Sequence, residues 1–243
     1  MKKHLIHIIP LAFMLLAWAG MYQTGRVAWK KFKRSVDTGA EITILPADKT
    51  YILPSEVKRL LRQTDTSLLR TNPWAYVHQA ESVLYRHPMV AGGQVWLGPG
   101  GRLHVRIRQI QPIGLADIGG RRHYLTAGGK IIPVSPHQKV SLPVLKGVHS
   151  AGEARDYFPL IRYIYNQPDL RHQIGSLEVQ NGRLWMHSYR LPVPVLLGDT
   201  TGYRQKLYKY RILTAYMKGK ERQNPYTKVD LRFKNQIIWT KNL

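Results

Sequence analysis

Leu103, Val105 and Ile107 occupy every second position of one stretch, and the residues between and after them are His104, Arg106 and Arg108. A period of two belongs to a β-strand with one face in a core and the other in water. The same rhythm returns near the far end, where Val229, Leu231 and Phe233 alternate with Asp230, Arg232 and Lys234. Such a chain must build sheets and cover one face of each. The 243 residues, 44% of them hydrophobic, suffice for one or two globular domains with real cores.

Charge narrows the surroundings. The sequence has 37 Lys+Arg against 14 Asp+Glu, a net of +23, which favours nucleic acid, acidic phospholipid or an anionic envelope polymer, or else a solvated basic surface. With no cysteine, a disulfide framework and thiolate chemistry are excluded. After Lys3 the next charged residue is Arg26, and Leu5 to Tyr22 is nearly all apolar. As a helix those residues span roughly 27 Å, close to a bilayer's hydrocarbon core. The segment reads as a single transmembrane helix over 5–22 with a cytoplasmic stub over 1–4. Leu5 to Leu16 also fits the apolar region of a signal peptide, with Ala17-Trp18-Ala19 as its small-x-small cleavage site, so release after Ala19 stays open. Basic residues do not set the orientation, because Arg26, Lys30, Lys31, Lys33 and Arg34 outnumber Lys2 and Lys3 although a long domain translocates largely regardless of charge.

Residues 23–40 form a basic juxtamembrane linker. From 41 to 111 the pattern predicts β-α-α-β-β. A strand lies in "EITIL", and a helix in "PSEVKRLLRQ" has Val57, Leu60 and Leu61 on one face. A second helix follows Asn72 as N-cap with a stripe of Val77, Ala80 and Leu84, and two strands join through "GPGG". From 112 to 243 Gly119-Gly120 and Gly128-Gly129 bracket one strand, and further strands lie in "KIIPV", "LPVLKGV", "IGSLEVQ", "GRLWMHSYRLPVPVLL" and the C-terminal stretch. Two helices interrupt them. One joins Phe158, Ile161, Ile164 and Tyr165 and is closed by Pro168. The other carries Tyr203, Leu207, Tyr210, Leu213 and Met217 as a core stripe. The fold class is α+β, a β-α-α-β-β module followed by a mixed β-sheet domain with two helices.

No catalytic constellation is visible: there is no G-x-S-x-G, no H-E-x-x-H and no spaced acidic cation loop. The ten histidines are scattered, so no metal or other cofactor is expected. No nucleic-acid module appears either. A tethered chain with two β-rich modules and no catalytic set reads as an interaction scaffold. Two rivals are a secreted cationic envelope-binding protein and a chaperone-like assembly factor.

Four stretches carry a family resemblance. "LYRHPMVAGGQV" resembles a Leu-x-x-(His/Leu)-Pro-x-Val-x-x-Ala-x-Val element, with Gly93 in place of the alanine. "GGRLHVRIRQIQPIG" is similar to the strand that closes a POTRA domain, with Gln109 in place of a common glutamate. "YLTAGGKIIPV" followed by "LPVL" resembles a Tyr-Asp-Gly then Leu-Pro passage without its aspartate, and "KVDLRFKNQIIW" resembles a late Asp-Leu-Arg-aromatic strand. Together they are similar to FtsQ/DivIB, the single-pass cell-division proteins of the bacterial divisome. The resemblance implies a POTRA domain over 41–111, an FtsQ-type β domain over 112–243, and an inner-membrane protein at the division site with its N-terminus cytoplasmic and its bulk outside. It also implies a non-catalytic role, recruiting and holding FtsB/DivIC-like and FtsL-like proteins. By matching position, the contact falls on Arg232 and Phe233 and on the residues just after them.

That contact has a physical basis if the last segment lies at a sheet edge, where unpaired N–H and C=O groups form a template for a partner strand. Residues 228–240 either run straight through or turn back at Asn235-Gln236. In both cases Ile237, Ile238 and Trp239 cannot share one buried face, so at least one points outward. The expected partner-binding residues are Arg232, Phe233, Ile237, Ile238 and Trp239.

Overall fold

The computed structural model describes residues 14, 16–28, 30, 31, 37–218 and 226–241. Residues 16–28 are helical and exposed. Among the described residues no helix is long and apolar enough to cross a membrane, and most of the 5–22 segment expected to do so lies outside them. The remainder divides between Gln109 and Ile110 into two compact units.

The first unit contains strand β1 (Asp37–Leu45), helices α1 (Pro54–Leu61), α2 (Leu68–Thr71) and α3 (Pro73–Tyr85), and strands β2 (Val90–Leu97) and β3 (Arg102–Gln109). α1 starts at a proline, and the Glu56 carboxylate accepts from the Leu53 N–H at 2.9 Å, satisfying a donor that the helix leaves unpaired. Asn72 caps α3 by accepting from the Ala75 N–H at 3.2 Å. The sheet order is β1-β3-β2, with β3 parallel to β1 and antiparallel to β2. Leu103, Val105 and Ile107 are buried as their alternation requires. Two expectations change. The four-residue α2 was not anticipated. In α3 the stripe is Tyr76, Ala80 and Leu84, with Val77 only half-buried, because the larger tyrosine ring takes the inward position.

Gln109 ends β3 and binds the loop after β1. Its amide oxygen accepts from the N–H groups of Tyr51 (2.6 Å) and Ile52 (3.2 Å), and its NH2 donates to the carbonyls of Pro46 (3.1 Å) and Lys49 (2.7 Å). A deprotonated glutamate could accept the first pair but has nothing to donate to the second. The glutamine therefore suits a loop that presents both kinds of backbone group.

Among the described residues the second unit is one nine-stranded sheet with helices. Its elements are β4 (Pro112–Ile118), β5 (Arg121–Thr126), β6 (Ile131–Pro133), β7 (Val144–Val148), α4 (Ala151–Asp156), α5 (Phe158–Asn166), α6 (Pro168–Gln173), β8 (Ile174–Gln180), β9 (Arg183–Ser188), β10 (Val195–Gly198), α7 (Tyr203–Met217), β11 (Tyr226–Asp230) and β12 (Ile238–Lys241). The order is β12-β11-β10-β9-β8-β7-β4-β5-β6. Gly119-Gly120 and Asn181-Gly182 all have positive φ, the geometry a two-residue hairpin needs to match strand twist. Among the described residues four helices stand where two were expected. Ser150 caps α4 by accepting from Glu153, and Pro168, expected only to close α5, also opens α6 as its first residue. The stretch read as one strand over 182–197 splits into β9 and β10, since prolines at 192 and 194 cannot donate to a ladder. α5 lies directly on β4, where a Cβ at Gly114 would meet the Ile161 side chain at 2.7 Å.

Gly147 in β7 has φ +73°, and a Cβ there would lie 2.0 Å from the Val179 carbonyl oxygen. Gly147→Ala is expected to cost more than about 3 kcal/mol, since neither backbone can yield without breaking the β7–β8 ladder. Urea unfolding of the purified protein measures this.

Candidate partner-binding edge

α7 carries the chain from β10 across the sheet to β11, which pairs parallel to β10. Leu207, Tyr210, Leu213 and Met217 are buried beneath it, and Tyr203 is half-buried, as the stripe predicts. Three polar contacts lock the helix. The Tyr210 hydroxyl bonds the Ser188 hydroxyl. Arg211 grips both oxygens of Asp169, at 2.6 and 2.8 Å. Buried Lys206 donates to Asp199 at 2.7 Å.

Beyond α7 the chain forms a hairpin. β11 ends at Asp230, the turn occupies residues 231–237, and β12 returns antiparallel, with Val229 opposite Trp239 and Asp230 opposite Ile238. This is the turned-back alternative, and it corrects one expectation: the alternation from Val229 to Lys234 is not one strand with one buried face. Val229, Asp230 and Leu231 are all buried in succession, and Arg232 and Phe233 lie exposed in the turn.

A buried aspartate in succession with two apolar residues needs a partner. Arg232, two positions on, supplies it. Its Nη2 donates to Asp230 Oδ2 at 2.7 Å, its Nε to Oδ1 at 3.0 Å, and its backbone N–H to the same Oδ1 at 3.0 Å. Burial pushes the Asp230 carboxyl up, but the donors from Arg232, its positive charge and that of Lys228 outweigh burial and hold it below the ordinary carboxylate range. The Arg232 stem rests on Gly198, where a Cβ would come within 2.7 Å of it. Its guanidinium stands 5.8 Å from the centre of the Phe233 ring, which is 45% exposed.

The turn is also held from above. Lys209 of α7 donates to the carbonyls of Leu231 (2.7 Å), Phe233 and Gln236 (3.4 Å), so one ammonium gathers three carbonyls that the ladder leaves unpaired. Partial burial lowers the Lys209 pKa, as does nearby Lys206, against the attraction of Asp230.

β12 ends the sheet, hydrogen-bonded to β11 on one side and, among the described residues, to no strand on the other. Ile237 at the end of the turn and Ile238 and Trp239 at the start of β12 divide as the pleat demands. Ile237 and Trp239 pack against the core, with the Trp239 ring 4.5 Å from that of Tyr226, and Ile238 is 38% exposed. Arg232, Phe233 and Ile238 are thus the members of the expected set at the surface, and Ile237 and Trp239 support them from beneath. Sequence reasoning missed Lys209, Gly198 and the burial of Asp230. Only the aspartate left a signal, its Asp-x-Arg spacing.

The depressed Asp230 pKa stabilises the fold above the unfolded value of about 3.9, and that contribution disappears as pH falls through the lower folded value. Asp230→Asn should lower the melting temperature at neutral pH and flatten its acid dependence in that window, as read by thermal unfolding across pH. Lys209→Met should cost about 1–2 kcal/mol and speed amide exchange in β12.

A family model described as FtsQ/DivIB, C-terminal related, matches residues 112–240, from the first residue of β4 into β12. No curated protein matches the sequence. The match takes in more than half of the chain and contains the "YLTAGGKIIPV" and "KVDLRFKNQIIW" stretches on which the resemblance partly rests. Sheet, hairpin and match together lead to one assignment: the chain belongs to the FtsQ/DivIB family of cell-division proteins, a family that is not enzymatic.

Proposed function

We propose that this chain is a divisome scaffold, held in the inner membrane by residues 5–22 with its bulk outside, that captures FtsB/DivIC-like and FtsL-like proteins by strand addition to β12. In this reading residues 41–111 act as a POTRA-like domain and residues 112–243 as the partner-binding β domain. The observation that carries the reading is the exposed edge of β12, with Ile238 on it and Arg232 and Phe233 at the adjoining turn.

The energetics are modest. A four-residue edge offers alternate residues to a partner, about four hydrogen bonds at about 1 kcal/mol net each. Phe233 and Ile238 contribute about 2 kcal/mol apiece when covered. After the costs of association this yields weak binding in free solution, and confinement of both partners to one membrane raises the effective concentration enough. Asp230 and Lys209 matter indirectly, since they hold Arg232 and Phe233 in place before the partner arrives.

Phe233→Ala and Ile238→Asp, made together in the full chain, should leave the melting temperature within a few degrees and reduce co-purification of the FtsB/DivIC-like partner at least tenfold. Photo-crosslinkers at 233 and 238 in living cells should attach that partner. Undiminished co-purification from the double variant would sink the proposal.

A further inference from the structure

The first unit has a face that the partner-binding reading leaves unused. Arg102, Arg106 and Arg108 point away from the core along β3, the central strand of the three, and all three are exposed. Outward residues of one strand stand about 6.6 Å apart, so this row is about 20 Å long. Among the described side chains no carboxylate lies within ion-pair distance of Arg106 or Arg108, whereas His104, between Arg102 and Arg106, meets Glu41 at 3.3 Å. On β2 the opposite partner of His104 is Trp96, and the two rings stack at 5.3 Å with planes 9° apart. The Arg106 guanidinium lies 5.4 Å from the Trp96 ring centre, and Trp96 remains 36% exposed. Opposite Arg108, β2 carries Gly92, whose missing side chain leaves room for the Arg108 guanidinium. A depression of about 310 Å³ beside Arg106 and Arg108 is bordered by Leu45 and Tyr85, which are 44% and 57% exposed.

We infer that this sheet face docks on the surface of an anionic phospholipid bilayer. The inference rests on the reading of residues 5–22 as an anchor. Three points favour that occupant. Exposed guanidinium groups in a row complement a field of phosphates. A half-exposed tryptophan and tyrosine with an exposed leucine are the side chains that settle at a membrane interface, where rings and aliphatic groups leave water while polar ends stay in it. Finally, Tyr22 and Asp37 are only 15 positions apart, so the face begins within about 50 Å of the end of the apolar segment. Tethering at that range makes weak contacts count. Docking would hold the unit flat against the bilayer through β3 and fix the height at which the chain leaves the membrane.

The test uses the full chain in nanodiscs with brominated acyl chains, made either of phosphatidylcholine alone or with a minority of phosphatidylglycerol. Trp96 fluorescence is isolated as the difference between the wild type and Trp96→Phe. The expected result is quenching of Trp96 in the anionic discs, absence of quenching in the neutral ones, and release at 1 M salt, where the Debye length is about 3 Å. Replacing all three arginines by serine should lower the docked-to-undocked ratio about 100-fold, from about 1 kcal/mol per charge. Trp96 quenched equally in both lipids, or unquenched in both while the chain co-elutes with the discs, overturns the docking and leaves the anchor standing. A chain recovered outside the discs overturns the anchor, and with it the tether on which docking depends.

Discussion

Parallel pairing of β10 with β11 obliges the chain to cross the sheet between them, and α7 is that crossing. A hairpin would have placed β11 antiparallel and left α7 no task. The crossing requires α7 to bury one stripe, and Leu207, Tyr210 and Leu213 do so. The same packing carries Lys209 over the β11–β12 turn, where its ammonium binds three carbonyls. One helix therefore sets both the order of the strands and the shape of the turn that borders the open edge.

Acidic groups are scarce here, and in the second unit several sit where a cation must be fixed. Asp169 holds Arg211, Asp199 holds Lys206 and Asp230 holds Arg232, each with its carboxyl pKa held down by hydrogen bonds to its partner. The first two secure α7, and the third secures the turn that β11 leads into. In both pairs the carboxylate keeps much of its surface in water, which screens the attraction. Asp230 differs, because it is buried and its removal would leave Arg232 free to move off Gly198. Among the described side chains Arg106 and Arg108 meet no carboxylate, which leaves them available to an anionic surrounding.

The local conflict in the fold lies at residues 228–239. Period-two alternation there reads as one strand, yet Asp230 is inside and the chain turns back. Alternation reports which side chains prefer water, not which can be neutralised by a neighbour two residues away. Arg232 makes the inward aspartate tolerable, and the ladder to β12 replaces continuation of the strand. The extra helices of the second unit leave little trace in the sequence for a simpler reason. α4 and α6 are six residues each, too short to establish a helical period, and only their starts, Ser150 and Pro168, carry a local signal.

Where chemistry is local, sequence alone determined the outcome. The α+β class, the inward set on β3, the α7 stripe, the Asn72 cap and the glycine turns all follow from residues within about one turn or one pleat of each other. The order of nine strands, the edge position of β12, the burial of Asp230 and the reach of Lys209 to a turn more than twenty positions away were decided only by tertiary structure. The physical reason is range. Periodicity and turn chemistry act over a few residues, but which strand ends a sheet depends on the competition of every strand for two neighbours, and that is settled only when the whole domain packs.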